Sequence, residues 1–137
     1  MATHSDPRAP GFLLLFKNAG EATHAHLTAE QKVALTKQWN DWYDGLAKAG
    51  KVKHGQPLEG AGRVVTNVNG RITDGPFAES KEAIGGYFYL TVESLDEATA
   101  IARECPGLAI GVEVEVRPLA VVSPVLNEVH GRPPAAS

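Results

Sequence analysis

The chain has 137 residues, 43% hydrophobic and 21% charged, with a formal net charge of -3. That is enough for one domain with a modest core, and it offers no basic field to attract nucleic-acid phosphates. The longest apolar run, Phe12-Leu13-Leu14-Leu15-Phe16, is far too short to span a bilayer, and a single cysteine, Cys105, excludes an internal disulfide and fits a reducing, cytoplasmic compartment.

Residues 1–11 show no hydrophobic period and read as a flexible lead-in without the features of a signal peptide. The run Phe12 to Phe16 reads as a strand buried on both faces. A polar stretch with His24 and His26 follows, and then Thr28-Ala29-Glu30-Gln31, a capping box in which the threonine hydroxyl and the glutamine amide satisfy two helix-start donors. Beyond it Leu35, Trp39, Trp42, Leu46 and Ala49 recur at spacings of 4, 3, 4 and 3, which places them on one stripe of a helix that Gly50 stops.

Val64-Val65-Thr66 and Arg71-Ile72-Thr73 flank Asn69-Gly70 and predict a β-hairpin with a type I′ turn. Asp74-Gly75-Pro76-Phe77 is a turn signal, Glu79, Lys81 and Glu82 bring charges close together, and Gly85-Gly86 leads into a strand from Tyr87 to Val92. Ser94-Leu95-Asp96-Glu97 predicts a second capping box, opening a short helix that turns Ala98, Ile101, Ala102 and Cys105 inward and ends at Pro106-Gly107. The alternation Val112-Glu113-Val114-Glu115-Val116-Arg117 is that of a half-buried strand. Residues 127–137 read as a flexible tail.

The order is β-α-β-β-α-β with an additional strand or loop between the middle two, which predicts an α+β ferredoxin-like sandwich with both helices on one face of an antiparallel sheet. With the valines on the helix side, its other face carries Glu113, Glu115 and Arg117. The strand from Tyr87 sets Tyr87, Tyr89 and Thr91 on one face against Phe88, Leu90 and Val92 on the other, and a second copy of the chain is the expected cover, making a homodimer.

The Asp74 to Gly86 segment is the first candidate for a site. Asp74 can fix the turn by accepting from following amides, Pro76 sets its own φ, and the two glycines permit close approach of a ligand or of another part of the chain. As a pocket rim it brings Asp74, Glu79, Lys81, Glu82, Gly85 and Gly86 toward a ligand, with Phe77, Trp39 and Tyr87 as apolar walls and His54 as a further polar group. His24-Ala25-His26 lacks a third ligand at metal spacing and reads as two exposed loop histidines, so no metal or cofactor is implied. Cys105, with no base beside it, reads as a packed thiol.

The stretch Thr73-Asp74-Gly75-Pro76-Phe77-Ala78-Glu79-Ser80-Lys81-Glu82, followed by Gly85-Gly86-Tyr87, resembles the DGPF-type members of the YciI-like (YCII-related) family. The segments AGKVKHGQPL, SLDEATAIARECP and VEVRPL extend the resemblance to residues 12–120. It implies a ferredoxin-like fold that dimerises through its sheets into an α-β barrel, with a largely unestablished function. Some relatives occur beside or fused to sigma factors, which makes a sigma factor an expected partner under one reading. In others a His on the first helix and an Asp suggest an acid/base pair. The position corresponding to that His is here Trp39, which cannot carry a proton, so the pair is incomplete. The leading expectation is a small cytoplasmic dimer binding a small molecule. The alternatives are an enzyme with Asp74 as its catalytic acid or base, and an accessory protein for a sigma factor.

Overall fold

A computed structural model describes residues 11–76 and 83–126. At its centre is β1 (Phe12–Lys17), whose side chains alternate between the core and the opposite sheet face. The apolar run is thus buried on one face and half-buried on the other, where burial on both was expected. Phe12, Leu14 and Phe16 point into the core, and Leu13 and Leu15 lie on the far side.

After β1 come a single helical turn, α1 (Glu21–His24), and the long helix α2 (Ala29–Lys48). Thr28 caps α2 as its sequence requires. Its hydroxyl accepts from the Gln31 amide at 3.1 Å, and the Gln31 side chain accepts from the Thr28 amide at 2.8 Å. Gly50, at φ 72°, takes the left-handed conformation that releases the chain from the helix. The strands that follow are β2 (Val52–Pro57), β3 (Arg63–Val68), β4 (Arg71–Pro76) and β5 (Ile84–Leu90). Helix α3 (Leu95–Ala102), a 3-10 turn at Pro106–Ile110 and β6 (Glu113–Pro118) complete the described elements.

The main sheet has the order β2-β5-β1-β6, every neighbouring pair antiparallel. With α2 and α3 on one face this is the ferredoxin-like α+β arrangement. Its second strand is β2, not the hairpin strand that the sequence pattern put there. β2 reads V-K-H-G-Q-P, without alternation and with a glycine and a proline, so it carries no strand signal of its own. The register supplies the reason for its composition, because Gly55 lies opposite Phe88 of β5, where a Cβ would come within 2.6 Å of the phenylalanine ring.

The predicted hairpin forms as β3 and β4, with Asn69 at φ 53° and Gly70 at φ 83° making the type I′ turn. It is a separate two-stranded sheet, and its described side chains are exposed, Val65 and Ile72 at 66% and 68%. Asp74, Gly75 and Pro76 belong to β4, paired with Val65, Val64 and Arg63. These three residues are therefore strand, not turn. A proline is tolerated there because it ends an edge strand.

The core draws Leu46 from α2, Ala98, Ile101 and Ala102 from α3, Phe88 and Leu90 from β5, and Cys105 and Val112 from the segment leading to β6. Ser94 caps α3 by accepting from the Glu97 amide at 3.0 Å, while the Glu97 carboxylate meets Lys51 at 3.3 Å, so only the serine half of the expected box is made. Burial pushes the Cys105 thiol from 9.0 up to about 11, with the amides of Gly107 and Leu108 opposing part of the rise.

Candidate functional site

Phe88 is the hub of an aromatic cluster that joins the sheet to α2. Its ring centroid lies 5.0 Å from Phe16, 4.9 Å from Trp42, 5.2 Å from Tyr43 and 6.2 Å from Trp39. Trp39 in turn meets Phe16 edge to face at 4.9 Å. Large rigid rings cannot fill the edge of this layer completely. A cavity of about 390 Å³ opens beside them, between α1, α2 and the ends of β1, β2 and β5.

Four rings wall it: Phe16, Trp39, Tyr43 and Phe88. Its polar side chains are His24, Asn40 and Gln56, and Gly85 and Gly86 complete it from β5. An apolar concavity with a few convergent polar groups is what small-molecule sites share. A larger hollow of about 490 Å³ between α2 and α3 is more open and charged, edged by Asp41, Lys51, Glu97 and Glu104. It lacks the enclosing rings, which makes it the weaker candidate.

The glycine pair now has a local explanation. A Cβ on Gly85 would lie 2.9 Å from the Ala19 methyl, and one on Gly86 would lie 3.0 Å from the Gln56 carbonyl oxygen and 3.2 Å from the Pro57 Cα. These glycines let β1's exit and β2 close over the end of β5. The close approach is made by the chain itself.

His24 was expected to be an exposed loop residue and is instead half-buried in the cavity wall. The loop that carries it is held by Asn18, which adopts φ 56°, a conformation asparagine tolerates better than most residues. The Asn18 side chain accepts from the Thr23 hydroxyl at 3.0 Å and donates to the Gly111 carbonyl at 2.9 Å, tying α1 to the end of the 3-10 turn. His24 Nδ1 lies 2.8 Å from the Gly20 carbonyl oxygen. His26, its expected twin, is exposed.

Of the residues expected around a ligand, Trp39, Gly85 and Gly86 meet at this cavity. His54 and Tyr87 meet elsewhere, on the sheet face away from the helices, where His54 Nδ1 and the Tyr87 hydroxyl are 3.1 Å apart. Around them are Tyr89, whose ring is 5.3 Å from that of His54, and Lys53, whose ammonium lies 5.5 Å above the Tyr89 ring. On the same face Glu115 pairs with Lys17 at 3.2 Å and with Arg117 at 3.1 Å, and the Arg117 guanidinium, with Lys17 second, holds its carboxyl below the ordinary range. Asp74 is exposed on the hairpin and does not line the cavity. Phe77, Glu79, Lys81 and Glu82 lie outside the described residues. Among the described residues, no three His, Cys, Asp or Glu side chains gather as a metal site.

Phe16, Asn40, Gln56 and Pro57 also line the cavity and were not singled out from sequence. Tyr43, which lines it too, stands in the helix's aromatic cluster with Trp39 and Trp42, where core or dimer contacts were expected ahead of ligand stacking. Tyr43 carried a signal, since it follows Trp39 by four residues and shares its helix face. Gln56 carried none, because β2 itself was not legible.

A ferredoxin-like α+β domain with a cavity at the helix–sheet junction is the class that this geometry defines. A profile of the YCII-related domain matches residues 12–120, and the chain belongs to that family. An uncharacterized protein of Rhizobium meliloti (strain 1021) is 43% identical over 54 residues, which are 39% of this chain and 44% of that relative. The chain thus spans less than half the length of the curated relative it matches. No helix among the described residues is long and apolar enough to cross a membrane.

Proposed function

We propose that this protein binds a small molecule in the cavity between α1, α2 and the sheet, as a cytoplasmic homodimer of the DGPF-type branch of its family. The observation that carries the reading is the lining itself, four aromatic walls with His24, Asn40 and Gln56 converging among them. Dimerisation is supported by the uncovered sheet face, where Leu13, Leu15, Tyr87 and Tyr89 are only half-buried in a single copy. Pairing of two such faces would put His54 and Tyr87 at the interface and leave the cavity open on the helix side. An acid/base role for Asp74 draws no support from the cavity, which Asp74 does not line.

The test is thermal stabilisation by a panel of small metabolites, with the wild type beside Asn40→Trp. Asn40 is exposed at the cavity mouth, so an indole there fills the opening without touching the core. A true ligand stabilises the wild type by about 2.7 kcal/mol at a hundredfold over its dissociation constant, and the blocked variant by much less. Equal stabilisation of both would place the ligand elsewhere.

A further inference from the structure

His24 is more than a wall of the cavity, because its hydrogen bond settles its chemistry. The Gly20 carbonyl oxygen has lone pairs and no proton, so the 2.8 Å contact requires that Nδ1 donate. In the neutral imidazole the other nitrogen, Nε2, then carries the lone pair and can only accept. The tautomer is held by the backbone of the same turn, and that turn is held by Asn18 through Thr23 and Gly111. A four-residue helical turn would not persist alone. Its two-sided anchoring keeps the imidazole in place before any ligand arrives.

The rest of the lining narrows the ligand. Phe16, Trp39, Tyr43 and Phe88 present flat faces and edges, which suit an aromatic ring. The described lining residues include no lysine or arginine, so among them a carboxylate or phosphate meets no permanent cation. A neutral group with a proton to donate fits the bare Nε2, and the amides of Asn40 and Gln56 can serve the remaining lone pairs of a hydroxyl. We infer that His24 is the acceptor that selects a hydroxylated aromatic compound, a phenol, in this cavity. The inference rests on reading the cavity as a binding site.

The test uses p-cresol and p-xylene, which have the same shape and differ in a hydroxyl against a methyl. Both are titrated at pH 8, where a phenol with a pKa of about 10 stays protonated, into the wild type and into His24→Phe, followed by amide chemical shifts. The expected result is that the substitution weakens p-cresol about tenfold, the worth of roughly one hydrogen bond, and changes p-xylene less than twofold. Imidazole nitrogen shifts of the free protein, assigned by the signals that His24→Phe removes, should show Nδ1 protonated and Nε2 bare. Equal effects on the two probes, no effect on either, or an Nε2-protonated ring would overturn the role of His24 and leave the cavity's binding function standing. If neither probe perturbs the cavity in the wild type at millimolar concentration, the binding reading fails and the inference fails with it.

Discussion

Replacing Gly55 by alanine tests whether the packing of β2 against the aromatic hub is as close as the structure shows. Gly55 has no left-handed φ, so alanine can adopt its backbone conformation and the effect is steric. The added methyl would sit 2.6 Å from Phe88 Cδ1, 2.8 Å from the Tyr87 carbonyl oxygen and 3.2 Å from Phe88 Cε1. Comfortable carbon contacts are roughly 3.5–4.0 Å, so the overlap is on the order of 1 Å. Neither neighbour can yield cheaply. The carbonyl belongs to a central strand, and the ring is held by Phe16, Trp42 and Tyr43 at 5.0, 4.9 and 5.2 Å, so it can give way only toward the cavity it walls, at the expense of those contacts. Overpacking of this kind costs about 1–3 kcal/mol. The stiffer unfolded chain returns about 0.4–1 kcal/mol. The expected net loss is therefore about 1–2 kcal/mol. Urea unfolding followed by tryptophan fluorescence, at one protein concentration for both proteins, should show a midpoint lower by roughly 0.5–1 M for a slope near 2 kcal/mol/M. A midpoint equal to or above the wild type would refute the assigned register of β2 on β5.

Four further outcomes follow from the same packing. Cys105 should resist alkylation in the native protein at pH 8 and react once urea unfolds it, which mass spectrometry after iodoacetamide reads directly. Its thiol is raised from 9.0 to about 11 in the fold, so the stability linked to it is fully present below pH 9 and declines as the pH climbs toward about 11, where the unfolded chain ionises and the folded one does not; a thermal midpoint that rises over that window would contradict the assignment. Ser94→Ala removes the acceptor for the Glu97 amide and should cost about 1 kcal/mol in chemical denaturation, with no loss at all arguing against the cap. Asp74→Asn, on an exposed hairpin strand, should change stability by less than about 0.5 kcal/mol and leave occupancy of the cavity unaltered; loss of binding in a folded Asp74→Asn protein would bring the hairpin back into the site.

What could be read from the residues was whatever has a local cause. The Thr28 capping box, the stripe of Trp39, Trp42 and Leu46, the Asn69-Gly70 turn and the alternation before Pro118 are short-range patterns, and each element formed where its pattern stood. β2 has a long-range cause. Gly55 is there because Phe88 needs the room, and Phe88 is 33 positions away in a strand that β2 meets only after the hairpin has been inserted. The pattern of β3 and β4 announced a hairpin and said nothing about its standing apart from the main sheet, because register with a third strand is not a local property.

The site divides along the same line. Trp39, Gly85 and Gly86 were reached from sequence through helix periodicity and glycine chemistry. His24 was not, since a histidine in a polar stretch looks the same whether it faces water or a cavity. Its placement depends on Asn18 turning left-handed and on Gly111, 93 residues from Asn18, accepting from it. His54 and Tyr87 were expected beside a ligand as a polar group and an apolar wall of the Asp74 to Gly86 rim, with no strand assigned at β2. Once it pairs with β5, alternation sends them to the other face of the sheet.

The central claim is that the helix–sheet cavity is where this protein meets its ligand, and mapping amide shifts on titration with p-cresol tests it most directly. The expected perturbations fall on Phe16, Ala19, His24, Trp39, Tyr43, Gln56, Gly85 and Gly86, the residues that surround the cavity. Perturbations centred instead on Tyr89 and His54, or on the β3–β4 hairpin, would contradict it.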